Sequence, residues 1–265
     1  MRATVRDSLL VCWRNLMRIP RIPELAIFAV LQSIMFVVLF AFVFGGAIPL
    51  PGYPQPGAYR EFLMPGIFAQ TIVFAAAITA VGITDDIGKG IIDRFRSLPI
   101  ARSAVLTGRS LSDVVYNGGI LIVLMVSGYV AGWTVRTGFL EFLAGVCLLL
   151  LFAFSMSWLG IWLGLLARKV EVASQVTYLT LFPLTFISNA FVPLQALPDW
   201  LRPFAEWNPT STLTSSLREL WGNPNPFVGD SFASQEPVLM TLVWVAVFIV
   251  VFGFLGVRRY RGISR

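Results

Sequence analysis

The residues of this 265-residue chain that could do chemistry are few, and their spacing removes most kinds of catalysis. There is no histidine, and the two cysteines are Cys12 and Cys147. No nucleophile can pair with an imidazole, and no common zinc ligand set is available. Cys12 lies in a basic N-terminal segment and Cys147 in an apolar run, so a disulfide is not expected. One stretch has a superficial likeness to a phosphate loop, Gly82-Ile-Thr-Asp-Asp-Ile-Gly88-Lys89-Gly90. It carries five residues between its glycines where about four are needed, and Gly90 where Ser or Thr would ligate magnesium. Asp85 and Asp86 would also repel phosphate. The chain is therefore expected to be no enzyme and to hold no metal or cofactor of its own.

A different chemistry, that of docking, is written just beyond this stretch. Gly88 and Gly90 permit a sharp exit, and Ile91, Ile92, Phe95 and Leu98 then form an apolar stripe among Asp93, Arg94 and Arg96. Pro99 closes the short helix that this pattern predicts. Two readings fit the residues equally: a helix that seats on another protein, or a connector whose apolar face rests on a membrane.

These segments hang on elements of another kind. Of the 265 residues 57% are apolar and 13% charged, and six stretches carry no Asp, Glu, Lys or Arg at all. They are Leu25 to Ala47, Phe62 to Ile83, Val114 to Trp133, Phe142 to Leu166, Val172 to Val192 and Val238 to Val257. Each is long enough to cross about 30 Å of hydrocarbon as a helix, the form that satisfies its own backbone in lipid. The expected fold class is all-α, a polytopic integral membrane protein of six transmembrane helices. Of the 20 Lys and Arg, sixteen fall before the first stretch, between the second and third, between the fourth and fifth, or in the tail. Only Arg60, Arg136, Arg202 and Arg218 fall on the other side, which puts both termini in the cytoplasm by the positive-inside rule. Topology accounts for the net charge of +6, and no nucleic-acid partner is expected.

Outside the spans, Val5, Leu9, Cys12 and Leu16 recur at helical spacing beside Trp13, with Asp7, Arg14, Asn15 and Arg18 opposite. This predicts an interfacial helix within residues 1–24, ended by Pro20 and Pro23; a plain basic flank is the alternative. Residues 193–237 predict helices dipping into the outer membrane surface. Asn208 is placed to cap one of them, Pro209 is its first residue, and Leu213, Leu217, Leu220 and Trp221 share a face. Trp200, Trp207 and Trp221 are expected at headgroup level. An extracellular loop is the alternative, although loops of this length are uncommon. Gly128 with Gly132 and Gly160 with Gly164 permit close helix approach, either within the chain or between two copies.

In their order, these residues resemble the membrane permease of type 2 ABC exporters, most closely the daunorubicin-resistance type. The likeness rests on Gly88-Lys-Gly-Ile-Ile-Asp-Arg-Phe-Arg-Ser-Leu-Pro99-Ile-Ala-Arg102 and on Gly108-Arg109 with Asp113. It continues in Phe191-Val-Pro-Leu194, Leu197-Pro-Asp-Trp200, and Asn208-Pro209 with Arg218. The resemblance implies one transmembrane domain over residues 1–265, with a coupling loop at 84–113 and a reentrant segment at 193–237. It implies a second permease copy or a related permease, and two cytoplasmic ATP-binding subunits that hold the ATP and magnesium. Gly88, Lys89, Gly90, Asp93, Arg94, Phe95, Arg96 and Pro99 would then couple to the ATPase. Phe68, Gln70, Phe74, Phe182, Phe186 and Asn189 would line the path, and Trp200, Asn208, Pro209 and Arg218 the outer gate. The expected site is the cell membrane, with lipids around the chain. Expected cargoes are amphipathic drugs or lipophilic compounds, with a lipid-linked glycan or lipid as the alternative. A secondary transporter is a further alternative, opposed by the absence of ionisable residues from the six stretches.

Overall fold

Long apolar runs without strand alternation should fold as helices, and every regular element among the described residues is helical. The computed structural model describes residues 2–17, 23–39, 42, 50, 52–53, 55, 57–91, 102–226, 229 and 231–262. In chain order the helices are α1 (Arg2–Leu16), α2 (Pro23–Val38), α3 (Ala58–Gly88), α4 (Arg102–Val130) and α5 (Phe139–Leu166). After α6 (Val170–Phe186) come the short α7 (Arg202–Trp207), α8 (Pro209–Trp221), α9 (Phe232–Gln235) and finally α10 (Pro237–Gly262).

Four of these, α3, α4, α5 and α10, are long and apolar enough to cross a membrane. The 31-residue α3 and 29-residue α4 outrun the ~30 Å of hydrocarbon at ~1.5 Å per residue. They therefore carry Glu61, Asp86, Arg109 and Asp113 on the same rods as their apolar stretches. The fifth predicted span behaves differently. Its apolar run reaches Val192, but α6 stops after 17 residues at Phe186, and residues 187–192 turn away. Pro183 lies in the last turn of α6, and the hydroxyl of Ser188 bonds back to the carbonyl of Thr185, both of which favour leaving the helix. The first predicted span is met from its start to Val38 by the 16-residue α2, and residues 43–47 lie outside the described residues.

The axis of the bundle is α3, against which α4, α5, α6 and α8 pack. Leu63, Met64, Ala69, Ile72 and Val73 are fully enclosed. Close approach to α5 depends on glycine: a Cβ on Gly160 or Gly164 would run into the backbone carbonyl of Ala76 or Ala80. The second small-residue pair thus serves packing within the chain. In the first pair, Gly128 faces Met64 and Phe68, while Gly132 ends α4 with a φ of 98°. The Trp133 amide donates to the Gly128 carbonyl at 2.9 Å and the Gly132 amide to Tyr129 at 3.0 Å, the pattern of a glycine C-cap.

The N-terminal segment is helical and packs one face on α4. Ser8, Val11, Cys12 and Asn15 are buried against α4, whereas Leu9, Leu10, Trp13 and Met17 are exposed. Small and polar residues dock here because Gly108 of α4 lets the Ser8 carbonyl and Val11 approach its backbone. The larger apolar side chains are left pointing away from the bundle.

Candidate functional site

At one end of the bundle, the break after α6 is held open by two side chains of the α8 segment. Asn208 works in both directions: its amide nitrogen donates to the carbonyls of Leu184 (2.9 Å) and Ile187 (2.6 Å), and its oxygen accepts from the Thr210 amide at 2.8 Å. One residue thus closes the end of α6 and caps the start of α8, where Pro209 occupies the first turn without an amide to satisfy. Arg218 closes the other side. Its Nε donates to the Phe62 carbonyl at 2.9 Å, and one terminal nitrogen donates to Asn189 (2.9 Å) and Ala190 (3.4 Å). The guanidinium carbon lies 3.6 Å from the Phe62 ring centroid, a cation–π contact. Arg218 is completely buried, and among the described residues its partners are carbonyls and a ring rather than a carboxylate. Gly66 makes this geometry available, because a Cβ there would occupy the Ala190 carbonyl.

Most of α8 is buried too, including Thr210, Ser211, Thr212, Thr214 and Ser216. It is packed inside the bundle, and the short α7 carries the exposed aromatics Phe204 and Trp207. Hydroxyls bond back to carbonyls, as Thr214 does to Thr210 and Ser216 to Thr212, so the polar helix is tolerated inside. Ser211 and Ser215 receive the backbone and side-chain N–H groups of Asn189 at 3.0 and 2.7 Å. Oγ1 of Thr185 and of Thr210, Oδ1 of Asn189 and Nη1 of Arg218 are buried without a hydrogen-bond partner among the described residues.

The six residues predicted to line a path separate into two sets. Phe74 of α3 forms a ladder with Tyr178, Phe182 and Phe186 on the outward face of α6, with centroid spacings of 5.5 Å for Phe74 to Phe182 and for Phe182 to Phe186. Phe182 and Phe186 are about half exposed. Asn189 lies buried at the joint described above. Phe68 and Gln70 are buried in the core, Phe68 edge-on to Trp133 at 5.1 Å and to Trp221 at 5.8 Å. Trp221 is likewise interior, its indole N–H aimed at the Phe142 carbonyl 3.3 Å away, so its ring meets protein on all sides. Trp200 is 71% exposed.

At the opposite end, the stems of the predicted coupling loop are clamped by charge. Arg109 of α4 lies 3.4 Å from Asp86 of α3 and 3.3 Å from Asp113, all three largely buried. Thr79 donates to Asp113 at 2.7 Å, and the guanidinium occupies the space that a Cβ on Gly82 would fill. Helix α1 joins through Asn15, which donates to Ser112, which in turn donates to the Arg109 carbonyl. Beside this contact, burial first and the charge of Asp113 second push the Cys12 thiol above its ordinary pKa. Gly88 ends α3, Lys89 pairs with Asp85 at 2.7 Å, and Gly90 turns with a φ of 65°, the sharp exit that the glycines predict. Asp93, Arg94, Phe95, Arg96 and Pro99 lie outside the described residues. The clamp was legible only as an Arg and an Asp four residues apart; its Asp86 arm needs the fold.

The ABC-2 type transporter family matches residues 7–221. A daunorubicin resistance ABC transporter permease protein of Streptomyces coeruleorubidus, DrrB1, is 32% identical over 98% of this chain and 88% of its own. The probable doxorubicin resistance ABC transporter permease protein DrrC of Mycobacterium tuberculosis H37Rv is 24% identical, covering 94% of this chain and 86% of its own. The putative transport permease ycf38 of Cyanophora paradoxa is 21% identical over 98% of this chain and 90% of its own. With its apolar helices and its likeness to permeases over nearly its whole length, this chain is a multi-pass membrane protein that belongs to the ABC-2 type transporter family.

Proposed function

We propose that this chain is the permease subunit of an ATP-driven exporter that moves amphipathic drugs or lipophilic compounds out of the cell. The observation that carries this reading is the near full-length likeness to permeases named for daunorubicin and doxorubicin resistance. The half-exposed ladder of Phe74, Tyr178, Phe182 and Phe186 supports the choice of cargo, because stacked rings recognise flat apolar surfaces and organic cations. In this reading α2 and α6 complete six crossings of the cell membrane, and both termini are cytoplasmic. The chain is one transmembrane domain, and a second copy or a related permease faces it. Two cytoplasmic ATP-binding subunits hold the ATP and magnesium and perform all hydrolysis.

The coupling helix at residues 88–99 seats on the ATP-binding subunit. Closure of that subunit pulls on both stems at once, since Arg109 ties Asp86 of α3 to Asp113 of α4. Through Ser112 and Asn15 the interfacial helix moves with them. At the outer end Arg218 fastens α3 to the break after α6, so displacement of α3 loads the joint of Asn189, Asn208 and α8. The unpartnered buried polar atoms there support a gate, because a joint that is incompletely bonded when shut gains partners when water enters. Trp200 and the exposed α7 lie above it at the membrane surface.

The test is to express the chain with its ATP-binding partner in a drug-sensitive host and follow accumulation of an anthracycline-like dye. Accumulation should fall, and should recover when the partner carries a hydrolysis-dead site. Equal accumulation in both, with loss of a surface glycan on deletion from the native cell, would replace drug export by glycan export. Transport by the reconstituted chain alone would make it a secondary carrier.

A further inference from the structure

Away from the aromatic ladder, on the other side of α6, lies a groove that the transport reading does not use. Its walls are Leu184, Pro203, Phe204, Trp207, Pro209 and Trp244, and its volume is about 480 Å³. That volume is within the ~300–1,000 Å³ of ordinary ligand sites, yet the chemistry of the walls is unusual for one. Sites for drug-sized molecules place a few free polar groups among apolar ones, to orient the ligand. Here they are consumed: the indole N–H of Trp244 donates to the Trp207 carbonyl at 3.0 Å, and the side chain of Asn208, also on the wall, is spent on Leu184, Ile187 and Thr210. The polar side chains of the wall are thus spent and do not reach out to orient an amphipathic cargo. A plain hydrocarbon chain needs no such partner.

The groove is also open to the surface on which hydrocarbon is found. Phe204 is 70% exposed, and Trp244 adjoins the exposed stripe of Leu239, Val243 and Val247 on the membrane-crossing α10. Next to the wall, Arg202 is paired with Asp199 at 3.0 Å, so a headgroup would meet a neutralised pair. We propose that this groove holds one acyl chain of an outer-leaflet phospholipid, recognised by its tail and not by its headgroup. The choice of leaflet rests on the orientation proposed above; the holding of a chain rests on the groove alone.

The test uses the assembled permease and ATP-binding subunits in nanodiscs of phosphatidylethanolamine or phosphatidylglycerol, each with a trace of phospholipid bearing a diazirine on its acyl chain. After irradiation, adducts are mapped by mass spectrometry. Adducts at Phe204, Trp207 and Trp244 should exceed by several-fold those at Val250 and Phe254, which are exposed on α10 away from the groove, and should do so with both headgroups. Leu184→Trp, which fills the groove, should abolish the excess without changing the yield at Val250. Phe204→Ser, at an exposed wall position, should reduce it likewise if the filled variant does not assemble. Yields at the groove no higher than at Val250 would overturn the proposal, as would displacement of the excess by an anthracycline-like dye, which would assign the groove to cargo.

Discussion

Arg218 joins two pieces of backbone through three carbonyls, that of Phe62 on α3 and those of Asn189 and Ala190 beyond α6. A buried charge without a carboxylate is costly unless its protons are used, and here carbonyl dipoles and the Phe62 ring take that part. Removing it leaves buried carbonyls unpaired, at about 1–3 kcal/mol for each group left without a partner. Arg218→Leu should therefore destabilise the purified protein by roughly 2–5 kcal/mol, measured as the thermal midpoint in detergent. Arg218→Lys keeps the charge but not the planar fork that reaches two directions, and should recover only part of the loss. An unchanged midpoint in Arg218→Leu would mean that the joint does not depend on this side chain.

Among the elements, the sequence makes the apolar helices legible because lipid leaves a long charge-free run few forms other than a helix. The cap of α8 was legible for an equally local reason, since Asn208 followed by Pro209 has few other uses. What pattern alone does not give is which helices end early and which faces turn inward. The apolar run through Val192 conceals the stop at Phe186, because turning is decided by Pro183, by Ser188 and by the partner α8. Nor does the apolar pattern of α1 tell which side docks on the bundle: Ser8 and Val11 fit against Gly108, and the bulky Leu9, Leu10 and Trp13 stay outside. The loop between α3 and α4 is where element and function meet. Its predicted stripe should bury in the ATP-binding subunit while Asp93 makes a charged contact, and truncating or reversing a partner of a buried charged pair costs several kcal/mol. Asp93→Arg should uncouple or release the ATP-binding subunit, measured by co-purification and by substrate-stimulated hydrolysis, with the permease still folded. Full coupling in this variant would reduce the segment to a connector.

For the whole molecule, charge and packing have to agree on which ends lie together. The end of α3 at Asp86, the start of α4 at Arg109, helix α1 and Tyr260 near the end of α10 gather at one end of the bundle. Glu61 with Arg136, 2.8 Å apart, and helices α7 to α9 gather at the other. Sequence assigns the first end sixteen of the 20 basic residues, and by the positive-inside rule this asymmetry supports the proposed placing of that end in the cytoplasm. The arrangement has a direct consequence for labelling. In a chain from which Cys12 and Cys147 have been removed, a cysteine introduced in place of Asn225, beyond the cap of α8, should react with an impermeant maleimide added outside intact cells. A cysteine in place of Ser264, beyond the basic tail, should react only after the membrane is opened. The opposite pattern would invert every role assigned here, because the ion clamp of Arg109 would then face away from ATP, and the joint held by Arg218 would face the cytoplasm.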